Sequence, residues 1–165
     1  MADAVLPDPV LIVLLGAAGS GKSALAGAWP PSAVLELDEF RERICDDPID
    51  EDATDEAVHV LGEVLEARLA RRLTTVVDAD GPDRVVRAKL LDIAGRHRVP
   101  AAALIMTTPL ETCLERNARR PPERRVPDDV VRLQYAETVD ATPGLPGEGF
   151  GHVEAVYGGP MRLVS

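Results

Sequence analysis

The stretch Gly16-Ala17-Ala18-Gly19-Ser20-Gly21-Lys22-Ser23 decides the fold of this 165-residue chain. It fits the phosphate-loop pattern G-x-x-x-x-G-K-[ST], which requires a strand before it and a helix after it. Residues 10–15 (VLIVLL) form a continuous apolar run typical of a buried parallel strand, and residues 24–26 (ALA) favour a helix. The motif therefore stands in the context of a phosphate-binding loop, rather than of a glycine-rich turn that merely links two elements.

The residue types of this loop suit the binding of a phosphate group. Glycine has no side chain and tolerates positive φ, so the backbone can pass close to an anion with its amide groups pointing inward. The positive end of the following helix adds to the attraction. Lys22 is expected to reach the β- and γ-phosphates of a nucleoside triphosphate, and Ser23 to offer its hydroxyl to Mg²⁺. The residues predicted to surround ATP·Mg²⁺ are Gly16, Gly19, Ser20, Gly21, Lys22 and Ser23.

The composition indicates one soluble domain and limits its partners. A net charge of −10 argues against a broad basic surface that would coat nucleic acid, and 3% aromatic residues leave little for base stacking. A grip on one strand end through a local basic cluster remains compatible with these values. The chain lacks an apolar run of about 20 residues and a basic, signal-like start, so no membrane association and a cytoplasmic location are expected.

Apolar runs alternate with amphipathic segments along the chain. This alternation predicts an α/β three-layer sandwich with a mostly parallel sheet, of the P-loop NTPase or kinase type. Pro30-Pro31 should stop the first helix, and Thr54 resembles an N-cap. Strands are predicted at 10–15, 33–37, 73–77, 101–106 and 152–157, helices at 23–29, 38–44, 54–69, 86–94, 109–120 and 127–135, and a loop at 142–151.

Acidic residues end two of the predicted strands, at the sheet edge where such folds bind ligands. Asp38 and Arg41 are three residues apart and share a helix face. Asp38 could accept the proton of an attacking hydroxyl while Arg41 holds a phosphate, or Asp38 could simply cap its helix beside an ordinary ion pair. Asp78 follows residues 75–77 and could bind Mg²⁺ or its waters together with Asp80, or could belong to a turn.

Arginines cluster in the second half of the chain. Arg116, Arg119 and Arg120 share one helical turn, and they could form a lid over the triphosphate, spanning roughly residues 109–140. The alternative is a solvated basic turn. Four other arginines are interpreted as plain surface residues, namely Arg84, Arg87, Arg96 and Arg98.

Beyond the loop, the chain resembles the polynucleotide 5′-hydroxyl kinase domain of bacterial polynucleotide kinase–phosphatase end-healing enzymes. The similar stretches are 14–23, 37–47, 53–61, 73–79, 113–121 and 148–153. The resemblance implies an ATP- and Mg²⁺-dependent kinase acting on a hydroxyl, most simply a 5′-OH end of RNA or DNA. The roles it implies are ATP·Mg²⁺ binding for Lys22 and Ser23, general base for Asp38, phosphate contact for Arg41, and lid contacts to ATP for Arg116 and Arg120.

Two departures from that family fall on the acceptor side. Leu37 stands where the family has serine, and Asp78-Ala79-Asp80-Gly81 stands where it has Asp-Ala-Thr-Asn. The acceptor therefore stays open between a 5′-OH end and a small molecule such as a nucleoside, a sugar or an antibiotic. A nucleotide-binding switch that hydrolyses ATP slowly is a further alternative, although a switch needs no acceptor base such as Asp38.

Overall fold

The computed structural model describes residues 5–79 and 83–157, and it contains one sheet of five parallel strands. The strand order is β2-β3-β1-β4-β5, which places the strand before the phosphate loop in the centre. This arrangement confirms the predicted α/β fold. The strands are β1 (Leu11–Leu15), β2 (Val34–Glu36), β3 (Thr75–Asp78), β4 (Ala101–Met106) and β5 (His152–Val156).

Helices cover both faces of the sheet. On one face Leu11 and Val13 pack with Leu61 of α3 and Leu90 of α4, and on the other face the alternating residues of β1 pack with Leu25 of α1. The central strand is therefore buried on both sides, which explains its continuous apolar sequence. The helices are α1 (Lys22–Ala26), α2 (Leu37–Cys45), α3 (Thr54–Ala70), α4 (Arg84–Arg96), α5 (Leu110–Ala118), α6 (Asp128–Ala141) and α7 (Leu145–Glu148).

Several element boundaries differ from the sequence-based prediction. Strand β2 ends at Glu36, because Leu37 turns into the core and begins α2, so Asp38 lies in the first turn of a helix. The predicted loop at 142–151 is wrong over residues 142–148, where a 3-10 turn leads into α7. Leu145 is fully buried there and anchors the turn to the core. Asp80 and the turn Gly81-Pro82 lie outside the described residues.

Arg87 is not a surface residue, contrary to the prediction. It is 6% exposed, and its Nε and Nη2 donate to Glu148 Oε2 and Oε1, both at 2.7 Å. The pair joins α4 to α7 across 61 residues of sequence. Arg84, Arg96 and Arg98 are exposed as predicted.

The sequence predicts no membrane-spanning segment. Within the two described ranges, no helix combines the length and the apolar character that a bilayer crossing needs.

Candidate functional site

The phosphate loop folds around its own lysine. Lys22 is 4% exposed, and its Nζ donates to the carbonyl oxygens of Gly16 at 2.8 Å and Ala17 at 3.1 Å. Gly21 adopts φ 100° just before α1 begins, a conformation that favours glycine. The loop thus places an ammonium group and the first turn of a helix at one point, which suits the binding of an anion.

A carboxylate and a hydroxyl stand together beside this loop. Asp78 at the end of β3 pairs in register with Leu14 of β1 and with Glu36 of β2. Ser23 Oγ donates to Asp78 Oδ2 at 3.3 Å, so the parallel sheet unites two residues that are 55 positions apart.

These two oxygen donors fit Mg²⁺. That ion takes oxygen ligands, and it commonly completes its shell with waters and substrate phosphates around one or two carboxylates. The described ranges contain no group of three or more His, Cys, Asp or Glu side chains that could hold a metal ion by itself. A Mg²⁺ ion held by Ser23 and Asp78 would therefore depend on phosphate oxygens as well.

Asp38 and Arg41 form the pair that their spacing predicted. Arg41 Nη1 donates to Asp38 Oδ1 at 3.0 Å, and Arg41 Nε donates to Thr54 Oγ1 at 3.1 Å. Glu36 occupies the N-cap of α2, so Asp38 is not the capping residue. Thr54 is not an N-cap either, because α3 begins at that residue and its hydroxyl accepts from Arg41. Arg41 is thus held from two sides and fixes the direction of the Asp38 carboxylate.

The arginine cluster is largely solvent-exposed. Arg116 and Arg119 are exposed and Arg120 is half-buried, near the end of α5. The fully buried Asn117 closes the segment that follows, because its Nδ2 donates to Val126 O at 2.6 Å and its Oδ1 accepts from Val126 N at 3.1 Å.

The same segment reaches the helix that carries Asp38 and Arg41. Arg124 Nη2 contacts Glu42 Oε2 of α2 at 3.2 Å. The candidate lid and the candidate acceptor side therefore touch at the protein surface.

Sequence reasoning missed the contacts between the loop and the segment after β4. Thr108 Oγ1 donates to Ser20 O at 2.7 Å, and Gln134 Oε1 accepts from Ala18 N at 2.9 Å. Cys113 lies fully buried against the loop, and burial raises the pKa of its thiol, so the thiol is an apolar packing group. These contacts follow no local motif, since the partners are 88 and 116 residues apart.

A charged cavity of about 440 Å³ lies beside Leu15, the last residue before the loop. Helices α4, α6 and α7 supply most of its lining. Four carboxylates and two guanidinium groups line it, so its charge is negative overall. The charged residues are Asp83, Arg84, Arg87, Glu137, Asp140 and Glu148.

Comparison by sequence finds a family match. A family model described as an AAA domain matches residues 11–141, which includes the phosphate loop, Asp38, Asp78 and the arginine cluster. Curated protein sequences give no match.

Solved structures resemble the fold over most of the chain. A chain of the Pnkp1/Rnl/Hen1 RNA repair complex has a TM-score of 0.70 at 17% identity, covering 87% of this chain and 48% of its own. A sugar kinase from Janibacter sp. HTCC2649 has a TM-score of 0.60 at 19% identity, covering 92% and 86%. AvrRxo1-ORF1:-ORF2 with ATP has a TM-score of 0.64 at 17% identity, covering 91% and 55%.

These likenesses confirm a phosphate-loop kinase fold of the polynucleotide kinase type, as the sequence resemblance predicted. The chain spans about half the length of the repair-complex chain that it matches, whereas it spans most of the sugar kinase.

Proposed function

We propose that this chain, which belongs to the AAA domain family, is an ATP- and Mg²⁺-dependent kinase that transfers the γ-phosphoryl group to a hydroxyl. The observation that carries the proposal is the meeting of two functional groups at one sheet edge. The Lys22 loop follows β1, and the Asp38–Arg41 pair follows β2. We further propose that residues 1–165 act as one kinase domain, in the cytoplasm, with residues 109–140 as its lid.

The loop residues bind and orient the triphosphate in this reaction. Lys22 and the loop amide groups hold its oxygens, while Ser23 and Asp78 would hold Mg²⁺, which would neutralise part of the triphosphate charge. Asp38 orients the acceptor hydroxyl and takes its proton. The acceptor oxygen forms a bond to the γ-phosphorus, the bond from that phosphorus to the bridging oxygen breaks, and ADP leaves. Arg116 and Arg120 stabilise the charge on the transferring group.

The first candidate acceptor is a polynucleotide 5′-OH end. The resemblance covers the loop, the Asp38 region and the arginine helix, and it is supported by the fold of the RNA repair complex chain. Arg41 gives the proposal a chemical basis, because its guanidinium lies beside the proposed general base Asp38 and can hold the phosphate that follows a terminal nucleoside.

The second candidate acceptor is a small molecule bearing a hydroxyl. The observation that favours it is the negatively charged cavity beside Leu15, since such a lining repels a phosphate backbone. The sugar kinase neighbour, of which this chain covers 86%, supports this candidate.

A transfer assay tests the function and separates the acceptors. Labelled ATP and Mg²⁺ are offered with 5′-OH oligonucleotides and, separately, with a panel of nucleosides, sugars and other small alcohols. Phosphorylation of one class and not the other identifies the acceptor. Lys22→Ala is the control, and it should reduce ATP affinity by roughly a hundredfold in a calorimetric titration, because it removes a charge and its donors from the phosphates. Equal ATP affinity in both proteins would contradict the phosphate-loop assignment.

The variant Arg41→Ala sharpens the choice of acceptor. It should raise KM for a 5′-OH oligonucleotide about tenfold, as loss of one charge-assisted contact does, and affect a neutral small alcohol much less. Arg43→Ala is the matched control, because Arg43 is an exposed arginine on the same helix. An equal loss with both acceptor classes would contradict the assignment of Arg41 to an acceptor phosphate.

A further inference from the structure

We infer that Gln134 of α6 is a positioning residue that holds the phosphate loop in its binding shape. The inference rests on the proposed function, because ATP is the ligand whose binding it affects. The contact is direct: the backbone N–H of Ala18 donates to Gln134 Oε1 at 2.9 Å. Ala18 is the third residue of the loop, just before Gly19, and it is fully buried.

Burial makes this hydrogen bond consequential for the loop. A buried N–H that loses its partner pays a desolvation penalty, which the chain escapes only by turning the peptide toward water. A turn of the peptide before Ala18 would alter the path into residues 19–23, whose amide groups are expected to surround a bound phosphate. The Gln134 side chain therefore selects one orientation of the loop in advance of ATP binding.

The helix face that carries Gln134 is fixed against the loop. Val131 is fully buried one turn before it, in an apolar cluster with Ala17, Ala18 and Cys113. Thr138 is buried one turn after it, and its Oγ1 donates to the carbonyl oxygen of Gln134 itself at 2.8 Å. The carboxamide thus projects from a packed helix, which gives it little freedom to follow a displaced loop.

The amide side chain has an electrostatic advantage at this position. Its oxygen accepts the Ala18 N–H without adding a net charge beside a polyphosphate. A carboxylate would accept the same N–H while repelling the triphosphate, and this repulsion would weaken as salt screens it. A thioether side chain of similar length would add no charge but would offer only a weak acceptor. Two substitutions can therefore separate the hydrogen bond from the charge.

The test is a calorimetric titration of ATP and Mg²⁺ into the full chain and three variants. Gln134→Met should raise the Kd for ATP about tenfold, in line with a lost hydrogen bond to a buried group. Gln134→Glu should bind ATP more weakly at low salt and approach wild-type affinity as the salt concentration rises. Leu133→Met is the control, because Leu133 lies on the exposed face of α6. It should leave the Kd unchanged.

Hydrogen exchange at the Ala18 amide gives a readout without nucleotide. Protection of this amide should fall in Gln134→Met and persist in Gln134→Glu, since the carboxylate keeps the acceptor. If Gln134 merely supported the fold, its variants would change the melting temperature, but Gln134→Met and Gln134→Glu would not differ in how their ATP affinity depends on salt. If Gln134→Met fails to fold, the Gln134→Glu titration and exchange data decide alone.

Three outcomes overturn the inference. A Kd for ATP in Gln134→Met equal to that of wild type refutes the inference while the kinase assignment stands. So does a ratio of Kd values between Gln134→Glu and wild type that stays the same at all salt concentrations. Absence of ATP binding by the wild-type chain removes both the kinase proposal and the role of Gln134.

Discussion

Two groups of arginines in this protein occupy opposite surroundings. Arg87 on α4 is buried and makes two hydrogen bonds to one carboxylate, and its side chain is 7% exposed. Arg116 on α5 and Arg119 at the C-cap of that helix are exposed to solvent. In the sequence, both positions are arginines of predicted helices, yet α7 covers Arg87 whereas Arg116 and Arg119 lie open to solvent. Helical spacing thus shows which residues share a face, whereas later parts of the chain determine what covers that face.

Removal of the buried Arg87 should have the largest effect, and it tests directly whether burial distinguishes this arginine from the exposed ones. Arg87→Met should lower the free energy of unfolding by about 3 kcal/mol, because it removes two charge-assisted hydrogen bonds from the half-buried Glu148 carboxylate. ATP affinity of the folded protein should change little. Urea unfolding measures the effect, with Lys89→Met, an exposed position on the same helix, as the control. A loss below about 1 kcal/mol, the range of surface pairs, would place Arg87 with the exposed arginines.

Substitution of Asp38, the partner of Arg41, should have the next largest effect. Asp38→Asn should slow phosphoryl transfer roughly a hundredfold, because it removes the proton acceptor while its neighbour Arg41 remains. ATP affinity and fold should be preserved. Single-turnover rates at saturating acceptor measure this loss, and Glu39→Gln, an exposed acid in the next position, is the control. Transfer as fast as wild type would show that Asp38 serves the structure of α2 and not the reaction.

The exposed arginines should affect turnover and leave stability unchanged. Arg116→Ala and Arg120→Ala should each lower kcat about tenfold or more, through loss of charge stabilisation, with nearly unchanged melting temperature. Arg43→Ala, at an exposed arginine outside the cluster, is the control and should retain its rate. Full activity in the first two variants would mean that the cluster is a solvated surface.

Lowering the pH should reduce the stabilisation that the Arg87–Glu148 pair contributes, and this is the smallest effect of the series. The hydrogen bond from Arg87 lowers the pKa of Glu148 below its ordinary value. The stabilisation is therefore fully present above the ordinary glutamate pKa, and it is lost as the pH falls through the folded-state value. Unfolding free energies of wild type and Arg87→Met should thus converge as the pH is lowered from about 7 to about 3. A constant difference across this range would show that packing, not charge pairing, stabilises the α4–α7 contact.

The contacts that the sequence predicted correctly are short-range or depend on parallel strand order. The loop forms from contiguous residues, and Asp38 meets Arg41 because three positions on a helix make neighbours. Asp78 reaches Ser23 because strands that run in parallel end at one edge. The recognition of the kinase fold from these stretches is confirmed.

Long-range side-chain contacts escaped prediction. The partners Arg87 and Glu148 are 61 residues apart, and those of the Ala18–Gln134 hydrogen bond are 116 apart. Neither pair has a spacing that marks it, because packing of whole helices brings the partners together. The turn at α7 was missed for the same reason, since burial of Leu145 and not local propensity stabilises it.

Gly19 has a meaning beyond phosphate binding. A Cβ built at this position would lie 2.3 Å from the carbonyl oxygen of Cys113, and its φ of +81° already disfavours other residues. Selection against substitution at Gly19 would therefore act on the nucleotide-free protein, through the backbone of α5. In a mutational scan, substitutions of Gly19 would resemble those of a ligand-binding position, although their cause is a steric clash with the backbone of α5. Loss of function there would be uninformative about ATP, whereas the neighbouring Lys22 would report on it directly.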